Sequence, residues 1–140
     1  MPKAGPKPDD ALPDNEVVIR RVPMPSPRED GMRVVSKSVF SASSRDRDPE
    51  EGMSVDRMSD LLAHGIDPID RTQFASEFEI LMTLKVADLH ANQMWVVPRP
   101  EPHNPAHCNV LGVTTGKRKT VFRLAEFLRR PDDVVKAGEN

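Results

Sequence analysis

The stretch Phe78-Glu79-Ile80-Leu81-Met82-Thr83-Leu84-Lys85-Val86 decides the fold class of this chain. Two periods compete across it. Phe74, Phe78, Leu81 and Met82 fall at helical spacing, whereas Phe78, Ile80, Met82, Leu84 and Val86 alternate. Alternation marks a half-buried strand, and helical spacing marks an amphipathic helix. We read Ile80 to Val86 as a strand, with a short helical or loop lead-in from Phe74.

Working outward, Ala87 to Gln93 reads as a polar turn segment, and Met94 to Val97 as a strand closed by Pro98. Cys108 to Val113 is a further short strand that ends at Thr114-Thr115-Gly116. Upstream, Glu16 to Val22 is rich in β-branched residues, which suit a pleated surface. Met32 to Ser41 alternates as a second strand, and Ser43 to Gly52 is a polar loop. Ser54 stands where an N-cap would, with Val55, Met58, Leu61 and Leu62 at helical spacing and Gly65 beyond. Val121, Leu124, Ala125 and Leu128 form an apolar stripe that Pro131 ends, with Arg129 and Arg130 placed to complement a helix dipole. The expected architecture is α+β: a small, mostly antiparallel sheet with two helices, at about 54–64 and 117–130. Residues 1–15 form a disordered tail, 16–131 a single domain and 132–140 a polar tail.

Composition bounds the rest. At 140 residues the chain can bury a core without metals or disulfides. Its 14 prolines and 30% charged residues point to segments outside that core. A net charge of −2 argues against a dedicated nucleic-acid binder. The single cysteine fits a reducing, cytoplasmic setting. The first residues lack the apolar region of a signal peptide, and no stretch approaches the roughly 20 apolar residues that cross a bilayer.

Chemistry concentrates in one loop. Pro98, Pro100, Pro102 and Pro105 stiffen Pro98-Arg99-Pro100-Glu101-Pro102-His103-Asn104-Pro105-Ala106-His107. Asn before Pro favours turn initiation, so Asn104 and His107 brace a turn or face a cleft, where neutral imidazole can act as acid or base. His103, His107 and Cys108 are zinc-ligand types, but Pro105 keeps the histidines off one helical face and no fourth ligand is evident. A Cys-His nucleophile pair is disfavoured because neighbours on a strand point to opposite faces. Arg20 and Arg21 end the first strand, and the inward one needs a carboxylate, such as Asp56 or Glu77, or a bound anion. Lys117, Arg118 and Lys119 sit at a helix start, where cations are unfavourable. With Arg123 they suggest an anion or an acidic partner.

Ile19-Arg20-Arg21-Val22, Gly31 with Ser36-Lys37-Ser38-Val39-Phe40, Met53-Ser54-Val55-Asp56 and Asn104-Pro105-Ala106-His107 together resemble a group of small uncharacterised bacterial proteins with a late Asn-Pro-x-His motif. The resemblance spans about residues 16–130 and implies bacterial origin and a shared fold. Arg20 or Arg21 beside Ser36 or Ser38 is also loosely similar to ADP-ribosyltransferase-type folds, although the chain has no Tyr for nicotinamide stacking.

Three functions follow as expectations. The first is a non-enzymatic module that accompanies or neutralises another protein, with no cofactor and no membrane. The second is an enzyme or nucleotide-binding domain in which Arg20 or Arg21, Ser36 or Ser38, Asn104 and His107 converge. The third is nucleic-acid binding through the basic C-terminal helix, where few aromatics are available for base stacking.

Overall fold

The computed structural model describes residues 5–40, 52–69 and 80–138. The contested stretch is extended: β4 is Ile80–Lys85. Its lead-in over 74–79 and most of the polar loop 43–52 lie outside the described residues. In chain order the strands are β1 (Val17–Val22), β2 (Arg33–Val35), β3 (Met53–Arg57), β4, β5 (Trp95–Pro98), β6 (His107–Leu111), β7 (Glu126–Arg129) and β8 (Val134–Lys136). The helices are α1 (Met58–Ala63), α2 (Val86–Ala91) and α3 (Arg118–Leu124). Six strands form one sheet in the order β5-β6-β3-β1-β4-β7, and every neighbouring pair is antiparallel. Strands β2 and β8 form a separate parallel pair. The fold is α+β.

Alternation along each strand divides the core in two. Val18, Val22, Met53, Val55, Met82 and Val110 face one side of the sheet. Val86 and Leu89 of α2, Val121 and Phe122 of α3, and Phe40 cover that side. Ile19 and Leu81 face the other side, where Leu61 of α1 and Ala106 cover them. Burying a side chain such as Leu61 contributes about 1.5–3 kcal/mol relative to its exposure. Gly52 holds the entry to β3 close against β6, since a Cβ there would lie 2.2 Å from the Val110 carbonyl oxygen.

Several boundaries differ from the sequence expectation. Ser54 is not an N-cap; it lies in β3, opposite Asn109. Met53 and Val55 are buried as strand residues, and α1 begins only at Met58. The expected helix 117–130 ends at Leu124, where Ala125 turns extended (ψ 141°) and β7 follows. Arg129 and Arg130 therefore complement no helix dipole. Arg129 Nη1 donates to Ile69 O, and the Arg130 guanidinium lies 4.7 Å from the Phe127 ring centre. The expected polar turn Ala87–Gln93 is mostly α2, which buries Val86, Leu89 and His90 at helical spacing. The expected strand from Met32 shortens to β2, followed by a 3-10 turn at Lys37–Phe40.

Both presumed tails touch the domain. Leu12 is buried, and its N–H donates to Val96 O at 2.8 Å on the outer side of β5. Asp10 pairs with Arg99, and Asp14 with His90. One apolar side chain and these polar contacts hold residues 5–15, despite their proline-rich composition. At the other end, Val134 is buried in β8.

Candidate functional site

Asp56 organises the polar groups on the second side of the sheet. It lies in β3 between Ile19 of β1 and His107 of β6, its register partners. Its side chain is 2% exposed, and its Oδ2 lies 3.4 Å from Arg21 Nε. Its Oδ1 accepts a hydrogen bond from Asn104 Nδ2 at 2.7 Å. Removing a carboxylate from water costs several kcal/mol unless a counter-charge and donors replace the solvent. Arg21 supplies the charge and Asn104 a neutral donor. Arg21 is 36% exposed, so its charge remains partly hydrated.

The proline loop is fastened by backbone as well. Glu101 and Asn104 exchange N–H to C=O hydrogen bonds at 3.0 Å in both directions. His107 N donates to Asn104 O, Arg99 N donates to His107 O, and Arg57 N donates to Ala106 O. The His107 ring lies with Nδ1 2.8 Å from Arg99 O. A carbonyl can only accept, so Nδ1 carries the proton and Nε2 holds the lone pair of the neutral ring. Glu101 Oε1 is 3.8 Å from the same Nδ1.

Arg20 points the other way, with Val18 and Val22. Its Nη1 donates to Ser54 O at 2.6 Å and its Nε to Val39 O at 3.2 Å, tying β1 to β3 and to the 3-10 turn. Ser36 and Ser38 are exposed, with hydroxyl oxygens 2.8 Å apart. The fold thus gathers Arg21, Asn104 and His107 around Asp56 and places Arg20 on the opposite side of the sheet.

The three zinc-ligand types do not share a face. His103 is exposed in the loop, and Cys108 follows His107 on β6 and packs into the first core. Among the described residues, no group of three or more His, Cys, Asp and Glu side chains could hold a metal ion. Burial pushes the Cys108 thiol up to about 12, although the nearby Arg57 charge acts against this. A thiol with that value is a poor nucleophile near neutral pH.

Of the basic residues around α3, Lys117 has an internal role. Lys117 Nζ donates to Asn92 O at 2.9 Å and to Gln93 O at 3.4 Å, at the C-terminal end of α2. A cation at the start of α3 is therefore a cation at the end of α2, where the helix dipole favours it. The buried Arg118 Nε finds no acceptor among the described residues. Lys119 and Arg123 are exposed.

Asp56 was legible in the sequence as a possible ion-pair partner. Its central position was not, because that depends on the pairing of β3 with both β1 and β6. No helix among the described residues is long and apolar enough to cross a membrane. Comparison with protein-family models, curated proteins and solved structures gave no match to this chain.

Proposed function

We propose that this chain is a non-enzymatic protein-interaction or accessory module. The observation that supports it is the engagement of its reactive groups in the scaffold. The Asp56 carboxylate is held by Arg21 and Asn104, the His107 ring by Arg99 O, and Arg20 by two backbone carbonyls. Groups that hold β1, β3 and the proline loop together brace a surface. A catalytic site needs such groups aimed at a reacting atom. A bacterial cytoplasmic setting belongs to this reading and rests on the lone cysteine and the Asn104-Pro105-Ala106-His107 resemblance.

The test combines capture of the tagged full chain from its native cells with a thermal-shift screen. The screen covers zinc, NAD and nucleotides, on the wild type and on His107→Ala. The module reading expects a stoichiometric protein partner and no ligand-induced shift. A ligand that raises the melting temperature of the wild type but not of His107→Ala would overturn it, because only binding to the native state stabilises by mass action.

A further inference from the structure

Strand β5 ends the six-stranded sheet, with β6 on its inner side. An edge strand leaves alternate backbone groups unpaired, a template on which another strand can add. Arg99 N donates to His107 O of β6, so residues 95, 97 and 99 turn their backbone groups inward, and Val96 and Pro98 turn theirs outward. Each outward group is accounted for. Val96 N–H donates to His90 Nε2 at 3.3 Å, and Val96 O accepts from Leu12 N at 2.8 Å. Pro98 has no N–H, and its carbonyl accepts from Arg99 Nη1 at 2.7 Å. Residues 10, 12 and 14 stand behind all three of these contacts. Leu12 caps Val96 O itself, and its buried side chain anchors the segment. Asp14 Oδ1 lies 2.7 Å from His90 Nδ1. Because Nε2 accepts, Nδ1 is the donor, and the carboxylate fixes the ring in the tautomer that caps Val96 N–H. Asp10 Oδ2 accepts at 3.0 Å from Arg99 Nη1, the nitrogen that also caps Pro98 O. Every second residue of Asp10-Ala11-Leu12-Pro13-Asp14 thus serves the same edge.

We propose that Asp10, Leu12 and Asp14 are an edge guard: they hold β5 closed, and their release opens it to pairing with β5 of a second copy. Pro98 closes its own end of the edge, since it has no N–H to offer. Val96 is closed by the guard. Release of Leu12 frees the Val96 carbonyl, and release of Asp14 lets the His90 ring turn away from the Val96 N–H. Two copies related by a two-fold axis at Val96 then exchange both hydrogen bonds of an antiparallel pair. The guard is lightly held. Its one buried apolar side chain is Leu12, and Asp10 and Asp14 are 54% and 61% exposed, so it can detach while the six strands stay paired. This device is independent of the module reading, since it requires no partner of different sequence.

Sedimentation velocity and tryptophan emission on the full chain test the proposal, comparing the wild type with the double variant Asp10→Lys, Asp14→Lys. Trp95 is the one tryptophan. Its Nε1 donates to Gly5 O at 3.0 Å and its ring centre lies 5.4 Å from that of His90, so its emission reports the guard. The wild type is expected to stay monomeric over a concentration series. The double variant should emit at longer wavelength and dimerise at least about tenfold more tightly than the wild type. Its Val96 amide should exchange faster when dilute and regain protection as concentration rises. If the double variant loses its native melting transition, Asp14→Lys alone, at an exposed side chain, is decisive by the same readouts. Emission and sedimentation equal to the wild type, a released chain that stays monomeric, or a dimer without renewed Val96 protection would each overturn the proposal.

Discussion

Asn104 Nδ2 donates to Asp56 Oδ1 at 2.7 Å and joins the proline loop to an interior strand across 48 residues of sequence. The carboxylate on the receiving end is nearly inaccessible to water, so this amide replaces hydration that folding removes. The most reactive-looking loop of the chain is thereby a structural attachment.

Leu12 should matter far more than its surroundings suggest. It is 3% exposed within a segment of prolines and aspartates. Leu12→Ala is expected to cost about 2–5 kcal/mol, the range for emptying a buried leucine site. Urea denaturation of the variant checks this. An unchanged midpoint would mean that the Leu12 side chain contributes nothing to stability.

Cys108 should resist thiol reagents in the native state. With its thiol pushed up to about 12, the folded protein holds this proton more tightly than the unfolded chain, whose ordinary value is 9.0. The stabilisation from this group is therefore present below about 9 and is lost as pH rises toward 12. Stability of the wild type should fall over that window faster than that of Cys108→Ala, by at most about 1.4 kcal/mol per pH unit. Native-state alkylation at neutral pH should be no faster than global unfolding allows. Rapid stoichiometric labelling would contradict the buried placement.

Glu16 governs part of the acid limb. Burial alone would raise its carboxyl, but hydrogen bonds from the Arg57 guanidinium and the Ser59 hydroxyl outweigh this and hold it below its ordinary value. Its contribution is present above the unfolded carboxylate value and is lost as pH falls through the lowered folded value. From about pH 5 downward the wild type should lose stability more steeply than Glu16→Gln. Parallel urea midpoints of the two proteins across that range would remove the assignment.

Lys117→Met should loosen the end of α2. The lost contact to Asn92 O and Gln93 O is expected to cost about 0.5–1 kcal/mol. Amide hydrogen exchange should accelerate around residues 92–94 and stay constant in β1. Exchange unchanged at both places would leave the basic residues without this internal role.

The strands were legible where alternation ran uninterrupted, as in Ile80 to Val86, or where β-branched residues gathered, as in Glu16 to Val22. Reading failed where two periods overlap. Val55, Met58, Leu61 and Leu62 make a helical stripe, yet Met53 and Val55 also make a strand, and pairing with Cys108 and Val110 decides in favour of the strand. Glu126 to Arg129 extends a helical stripe with no Gly or Pro to mark its end, but there the chain pairs with β4. Helix α2 carried a signal in Val86, Leu89 and His90 that its polar remainder hid. Opposite placement of Arg20 and Arg21 follows from strand alternation alone. Which of them meets Asp56 depends on register, which no local pattern encodes.

The most direct test of the account is a double-mutant cycle on Asp56→Ala and Asn104→Ala, measured by urea unfolding. A structural attachment predicts a coupling free energy of about 1–3 kcal/mol between the two sites. Additive effects, with coupling below about 0.5 kcal/mol, would show that the Asn104 amide does not hold the loop to Asp56, and the bracing role would fall with it.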